Sequence, residues 1–154
     1  MTRINSAIPV KNLTDEHLLA EHREIKRLPY CLGKAIESGS INRIPEKFTL
    51  GKGHVLFFLD KQLFARNRYV ELFYECRRRG FEITNYGFNW NFSETFLQRY
   101  WNDYTPTEDE HQLLVERIKE RINGSTKQVF HYYGKPVTKK EAVDILVKVF
   151  PIYV

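Results

Sequence analysis

Cysteine is nearly missing from this chain: only two occur in 154 residues, Cys31 and Cys76. Neither belongs to a paired motif, which excludes a disulfide-stapled scaffold and a zinc site of the Cys-x-x-Cys kind. Both are expected as buried thiols in a reducing compartment. No apolar run approaches the ~18 residues of a membrane span, and the N-terminus has no apolar signal-peptide region, so a soluble cytoplasmic protein is expected. A metal centre also lacks its ingredients. His17 and His22 are five positions apart with no third ligand in reach, and no Ser-His-Asp arrangement is suggested. Gly51-Lys52-Gly53-His54 has neither the Gly-Lys-Ser/Thr ending nor the preceding strand of a phosphate loop, so as a nucleotide site it is weak. Internal repeats and low-complexity tracts are missing as well.

Acid is in short supply relative to base. Against 24 Lys and Arg stand 19 Asp and Glu, giving a net charge of +5 and an isoelectric point near 9.2. That balance favours a polyanionic partner. Aromatics at 14% suit base stacking, and they suit core packing equally. The length fits one domain with a real core.

Helix signals punctuate the chain. Thr14 is a good N-cap, with Leu13 and Leu18 as a hydrophobic staple and Asp15 and Glu16 in the first turn. Pro29 predicts an end or kink there, and Tyr30 to Ser38 a short helical continuation stopped by Gly39. Residues 39–53 read as a loop and His54 to Leu59 as a buried apolar run. A helix is predicted from about Lys61 to Arg79, with Leu63, Val70, Phe73 and Tyr74 on its inner face. Arg77-Arg78-Arg79 then forms either a phosphate grip or a solvated end. Residues 82–104 read as an ordered, irregular aromatic segment. Thr105-Pro106-Thr107-Glu108 predicts a capping box with Thr105 as N-cap, opening a helix to about Ile122. Thr138 to Glu141 is another box, followed by Ala142, Ile145, Leu146 and Val149 to pack inward.

The chemistry-bearing stretch is the first 27 residues. Thr2 is small enough for Met1 to be trimmed, leaving an α-amine with a reference pKa of about 7.7–8.0 against about 10.4 for lysine. Roughly a tenth of that amine is the unprotonated nucleophile at neutral pH. At about 100° per residue, His17, Ala20, Arg23, Glu24 and Arg27 share one arc of the first helix, while Leu18 and Ile25 face elsewhere. The strip is a carboxylate between two guanidiniums, with a histidine behind and an alanine leaving room. From these residues alone, a solvated face of i,i+3 and i,i+4 pairs is the better description.

Several stretches together resemble one family. They are Met1-Thr-Arg-Ile-Asn5, His17-Leu-Leu-Ala-Glu-His-Arg-Glu24 with Arg27, Leu50-Gly-Lys-Gly-His-Val-Leu-Phe-Phe58, Glu71-Leu72 with Glu75-Cys76, and Arg79-Gly-Phe81. Asp103-Tyr104 with Pro106, Arg117 and Tyr132-Tyr-Gly-Lys135 follow in order, so the likeness covers about residues 1–136. The chain resembles the pyrimidine-dimer DNA glycosylase/AP lyases of the phage endonuclease V type.

A short C-terminal extra helix in residues 137–154, read from its capping box, is additional to the family; the resemblance goes with an all-α fold, a single compact domain of three main helices with long ordered loops, residues 1–136. It implies Thr2 as nucleophile and Glu24 as the catalytic carboxylate. Arg3, His17, Arg23, Arg27, Arg117, Arg121, Tyr133 and Lys135 are implied to contact DNA, Lys52 to sit in a structural turn. The partner would be double-stranded DNA containing damaged bases, met by a monomer without metal or organic cofactor, in the cytoplasm or, if phage-encoded, the host nucleoid. Arg121 stands where a lysine is usual, Val129 replaces a ring and His131 a lysine. Those departures bear on which base is removed more than on the chemistry. A glycosylase or lyase for another lesion, and a non-catalytic DNA-binding module of the same fold, are the alternatives.

Overall fold

A computed structural model describes residues 4–150. Its elements are α1 (Asp15–Ile25), α2 (Leu28–Ser38), α3 (His54–Phe58), α4 (Gln62–Arg78), α5 (Glu108–Gly124), the strands β1 (Val129–Tyr132) and β2 (Lys135–Thr138), and α6 (Lys139–Val147). The fold is predominantly helical, as expected, with short 3-10 turns at Val10–Asn12, Ser40–Arg43, Gly87–Trp90 and Thr95–Tyr100 in the connections. Among the described residues no helix is long and apolar enough to cross a membrane.

Helix α1 starts where its cap signal says: the Thr14 side chain accepts the His17 N–H, and Leu13 and Leu18 are both buried. Pro29 does not end a helix but opens one. It lies in the first turn of α2, where its missing N–H is an unsatisfied donor anyway. Where three main helices were expected, four run to 11 residues or more, because the chain breaks between Ile25 and Leu28. Gly39 closes α2 at φ 82, a left-handed conformation that favours glycine. The His54 to Leu59 run is largely the short helix α3, with Phe57, Phe58 and Leu59 in the core.

One boundary and one face differ from expectation. The cap of α5 is Thr107, whose side chain accepts the Glu110 N–H, not Thr105. Both threonines head a Thr-x-x-Glu window; the later one prevails because buried Glu110 takes hydrogen bonds from the Ser6 and Tyr104 hydroxyls. On α4 the buried stripe is Gln62, Ala65, Arg68, Tyr69, Leu72, Glu75 and Cys76, whereas Tyr74 is 56% exposed. The stripe escaped an apolar periodicity because three of its seven members are polar, each with an internal partner. Trp90 Nε1–H donates to Gln62 (3.0 Å), and Arg68 makes two 2.9 Å hydrogen bonds to Glu21.

The third member anchors a larger cluster. Arg79 is neither a phosphate grip nor a solvated end. Its guanidinium is fully buried and donates to Glu75 (2.9 Å), Asp15 (2.9 Å) and the Leu13 carbonyl (2.8 Å). Burial alone would raise the Glu75 pKa, but hydrogen bonds from Tyr133, Arg79 and Arg78 outweigh it and hold the carboxyl below its ordinary value. Cys76, beside it in the core, has its thiol pushed up to about 11 by burial. Cys31, by contrast, is only half-buried, not enclosed as expected.

The hairpin β1–β2 is the element the helical reading did not include. Its strands pair antiparallel from Val129 opposite Thr138 to Tyr132 opposite Lys135, and Tyr133 and Gly134 form the turn at φ 53 and 78. Positive φ at both central residues matches the right-handed twist of a two-residue hairpin. The first turn of α1 holds it in place. Asp15 accepts from the Tyr133 and Gly134 amides (3.1 and 2.8 Å), and Glu16 from the His131 amide (2.6 Å). Helix α6, opened by the expected Thr138–Glu141 capping box, buries Ala142 and Leu146. Val149 does not pack inward; it lies beyond the helix end at Val147 and is 89% exposed. Asn12 ties this segment to the core by donating to the Ile145 and Lys148 carbonyls.

Candidate active site

The N-terminal arm is built into the core. Ile4 and Ile8 are fully buried, and Asn5 and Ser6 nearly so. Several polar groups along it meet specific partners. The Ile4 amide donates to His54 Nε2 at 3.0 Å, which fixes the tautomer of His54: its other nitrogen, Nδ1–H, donates to the Thr49 carbonyl at 2.9 Å. The Asn5 side chain donates to Glu21 (3.1 Å), Ser6 to Glu110, and the Ile8 carbonyl accepts from Arg68 (2.6 Å). Gly53, at φ 94, starts α3 so that His54 reaches the arm. Thus the Gly51-Lys52-Gly53 turn is structural, with Lys52 exposed.

Across from the arm lies the polar strip of α1. Glu24 is four-fifths buried, with Arg27 Nη1 at 3.2 Å from one carboxylate oxygen and Arg23 Nε at 3.8 Å from the other. Both arginines are largely exposed, so these ion pairs are weak holds that an anion can take over. Helix α5 supplies the opposite wall. A pocket of about 140 Å³ brings together His17, Arg23 and Glu24 from α1 with Arg117 and Arg121 from α5, and Asn5 from the arm. Ala20 lines it too, as the small residue the helical spacing had placed there.

His17 is held in one state. Burial, with Arg121 and Lys127 nearby, lowers its pKa below the ordinary 6.5 against the opposing pull of Glu16. Its Nδ1 lies 2.8 Å from Thr14 Oγ1, which already accepts the His17 amide. Among the described residues the Thr14 hydroxyl finds no other acceptor, so its proton goes to Nδ1 and leaves Nε2–H as a donor. A neutral imidazole offering N–H suits a phosphate oxygen.

Of the residues singled out in the sequence, five meet in this pocket, and Arg27 stands at its edge beside Glu24. Thr2 and Arg3 lie outside the described residues. Tyr133 and Lys135 are not in the pocket. The Tyr133 hydroxyl donates to Glu75 at 2.6 Å, which leaves it no proton for a phosphate oxygen, and Lys135 is exposed at the start of β2. Three contributors went unread in the sequence: Asn5 as a pocket wall, His54 as the clamp on the arm, and exposed Lys127, whose charge bears on His17. No spacing rule connects residues 50 positions apart. Among the described residues no group of three His, Cys, Asp or Glu is placed to hold a metal ion.

A helical domain whose pocket sets the Glu24 carboxylate among guanidiniums from two helices has the features of an enzyme that works on a polyanion. A family model described as pyrimidine dimer DNA glycosylase matches residues 1–87, more than half of the 154, and the chain belongs to that family of DNA-repair glycosylases. The matched stretch contains the arm, the α1 strip, His54 and the buried partners on α4; Arg117 and Arg121 lie beyond it.

Proposed function

We propose that this protein excises cyclobutane pyrimidine dimers from duplex DNA through a covalent imine and then nicks the strand by β-elimination. In this reading residues 1–136 form the glycosylase domain and residues 137–154 an extension packed on it. The protein acts as a monomer and needs no metal or organic cofactor. The α-amine of Thr2 attacks C1′ of the damaged nucleotide once a base has left the stack, and the lesion base departs. The imine cation acidifies C2′, and Glu24 takes the C2′ proton so that the 3′ phosphate leaves. Arg3, Arg23, Arg27, Arg117 and Arg121 hold phosphates around the scissile sugar; His17 donates its Nε2–H to the same backbone, and Tyr133 and Lys135 touch DNA further out.

The observation that supports this reading best is Glu24 facing the shared pocket, with the Arg23 guanidinium on its own helix, that of Arg27 at the start of α2, and two more on α5. Asn5 of the buried arm lines the pocket, and Thr2 precedes Ile4 by two positions, a reach of at most about 7 Å. A module that only bound DNA would gain nothing from a carboxylate turned toward phosphates. Glu24→Gln is expected to keep binding irradiated duplex while its nicking rate falls at least ~100-fold. Acetylating the N-terminal amine is expected to abolish borohydride trapping. Normal cutting of irradiated plasmid by either form would refute these roles. Dimer-containing, abasic and oxidised duplexes assayed in parallel identify the lesion.

A further inference from the structure

Asn5 is a buried amide whose oxygen takes no hydrogen bond from the described residues. The residue is 4% exposed, and its Nδ2 donates to Glu21 Oε1 at 3.1 Å. Glu21 is wholly enclosed and paired through both oxygens with Arg68, so it is a carboxylate and can only accept. That settles the amide orientation, because the opposite one would press Oδ1 against the carboxylate. The oxygen therefore turns away from Glu21, and among the described residues no donor reaches it. A buried acceptor without a donor is uncommon and marks a place where a ligand or ordered water completes the structure. Asn5 lines the pocket that contains Glu24, His17, Arg23, Arg117 and Arg121, and its backbone is fixed there by the Ile8 amide donating to its carbonyl.

Asn5 offers this pocket a neutral acceptor; Glu21 and Glu24, the other acceptors that line it, are carboxylates paired with arginines. The arginines are donors that suit phosphate oxygens. An amide oxygen repels those oxygens and needs an O–H or N–H. Within the proposed reaction one new donor arises at the sugar itself. As the amine bonds to C1′, the base leaves with the bonding pair and one amine proton. The nitrogen lone pair then forms C=N, the C1′–O4′ bond breaks, and O4′ becomes a hydroxyl with a proton passed from solvent through Glu24. We propose that Asn5 Oδ1 accepts the hydrogen bond of this C4′ hydroxyl, so that Asn5 recognises the ring-opened sugar and not the closed ring. The Glu21–Arg68 pair is then the device that aims it. This rests on the glycosylase reading above and extends it to which sugar state the pocket prefers.

The test is equilibrium binding of the full chain to duplexes that cannot react. One holds a borohydride-reduced abasic site, ring-opened with its C4′ hydroxyl; one holds tetrahydrofuran, a closed ring; one holds a propanediol spacer without that hydroxyl. The wild-type protein is expected to bind the reduced site about tenfold tighter than the spacer, the size of one well-placed hydrogen bond. Asn5→Ala is expected to lose about that factor on the reduced site and keep its tetrahydrofuran affinity. Equal losses on both duplexes would make Asn5 a structural residue and overturn the proposal. So would an unchanged Asn5→Ala, or a wild-type protein that binds reduced site and spacer alike, a comparison that needs no variant to fold. Failure of the wild-type protein to prefer any abasic duplex over intact DNA would overturn the glycosylase reading itself.

Discussion

His17 and His22 sit one and a half turns apart on α1 and share a property that shows in stability. Burial lowers the pKa of both, with Lys26 adding to the effect at His22 and Arg121 and Lys127 at His17. His22 is tucked under Tyr69, its Nε2 at 3.0 Å from the phenol oxygen. A histidine with a depressed folded pKa binds fewer protons folded than unfolded. Its contribution is therefore complete above the unfolded value of 6.5 and is lost as pH falls through the folded pKa. The melting temperature is expected to drop as pH falls below 6.5, and to drop less in His22→Gln, with scanning calorimetry as the check. At the same scale, four of the five arc residues, His17, Ala20, Arg23 and Glu24, were legible on α1 because helical spacing decides which residues share a face; Arg27 lies past the helix end at Ile25 and meets Glu24 from the start of α2. The enclosure of Glu24 was not legible, since its opposite wall comes from a helix about 90 positions away.

At the scale of elements, capping is local enough to read, but competing caps are not. Thr105 and Thr107 satisfy the same pattern, and only the buried bonds of Ser6 and Tyr104 to Glu110 decide between them. Thr107→Ala is expected to cost about 1 kcal/mol of stability and Thr105→Ala little, measured by denaturant unfolding. The acids at the start of α1 make the same point. Asp15 and Glu16 suit the helix dipole, yet both also fasten the β1–β2 hairpin, and Asp15 holds Arg79 in addition. The hairpin itself follows from Tyr133-Gly134 at positive φ, a turn whose tyrosine hides the usual sequence mark. The stripe on α4 was misread for a related reason: a buried Gln62, Arg68 or Glu75 looks like solvent-facing polarity until its partner is known.

For the molecule as a whole, the charge of +5 matters through where it is concentrated. Arginines from α1 and α5 converge on one pocket, while Arg68 and Arg79 are consumed inside the core by Glu21, Glu75 and Asp15. Counting arginines therefore overstates the surface available to DNA. Each phosphate neutralised steepens the salt dependence of binding by about 0.9 in log–log slope. Replacing Arg117 and Arg121 together by glutamine is expected to shallow that slope by about two, with similar loss on undamaged and irradiated duplex. A titration across salt concentrations measures it, and an unchanged slope would remove α5 from the DNA face.

The residues by themselves determined the helical class, the caps at Thr14 and Thr138, the strip from His17 to Arg27 and the family, because helix periodicity, capping and contiguous motifs act over a few positions. Tertiary structure alone decided which polar residues are core and which are site. It put Arg79 under the hairpin and Arg117 beside Glu24, and it clamped Ile4 with His54 and turned the free oxygen of Asn5 away from Glu21. Those outcomes depend on partners dozens of residues apart, and a charge declares itself buried or exposed only once its partner has been brought against it.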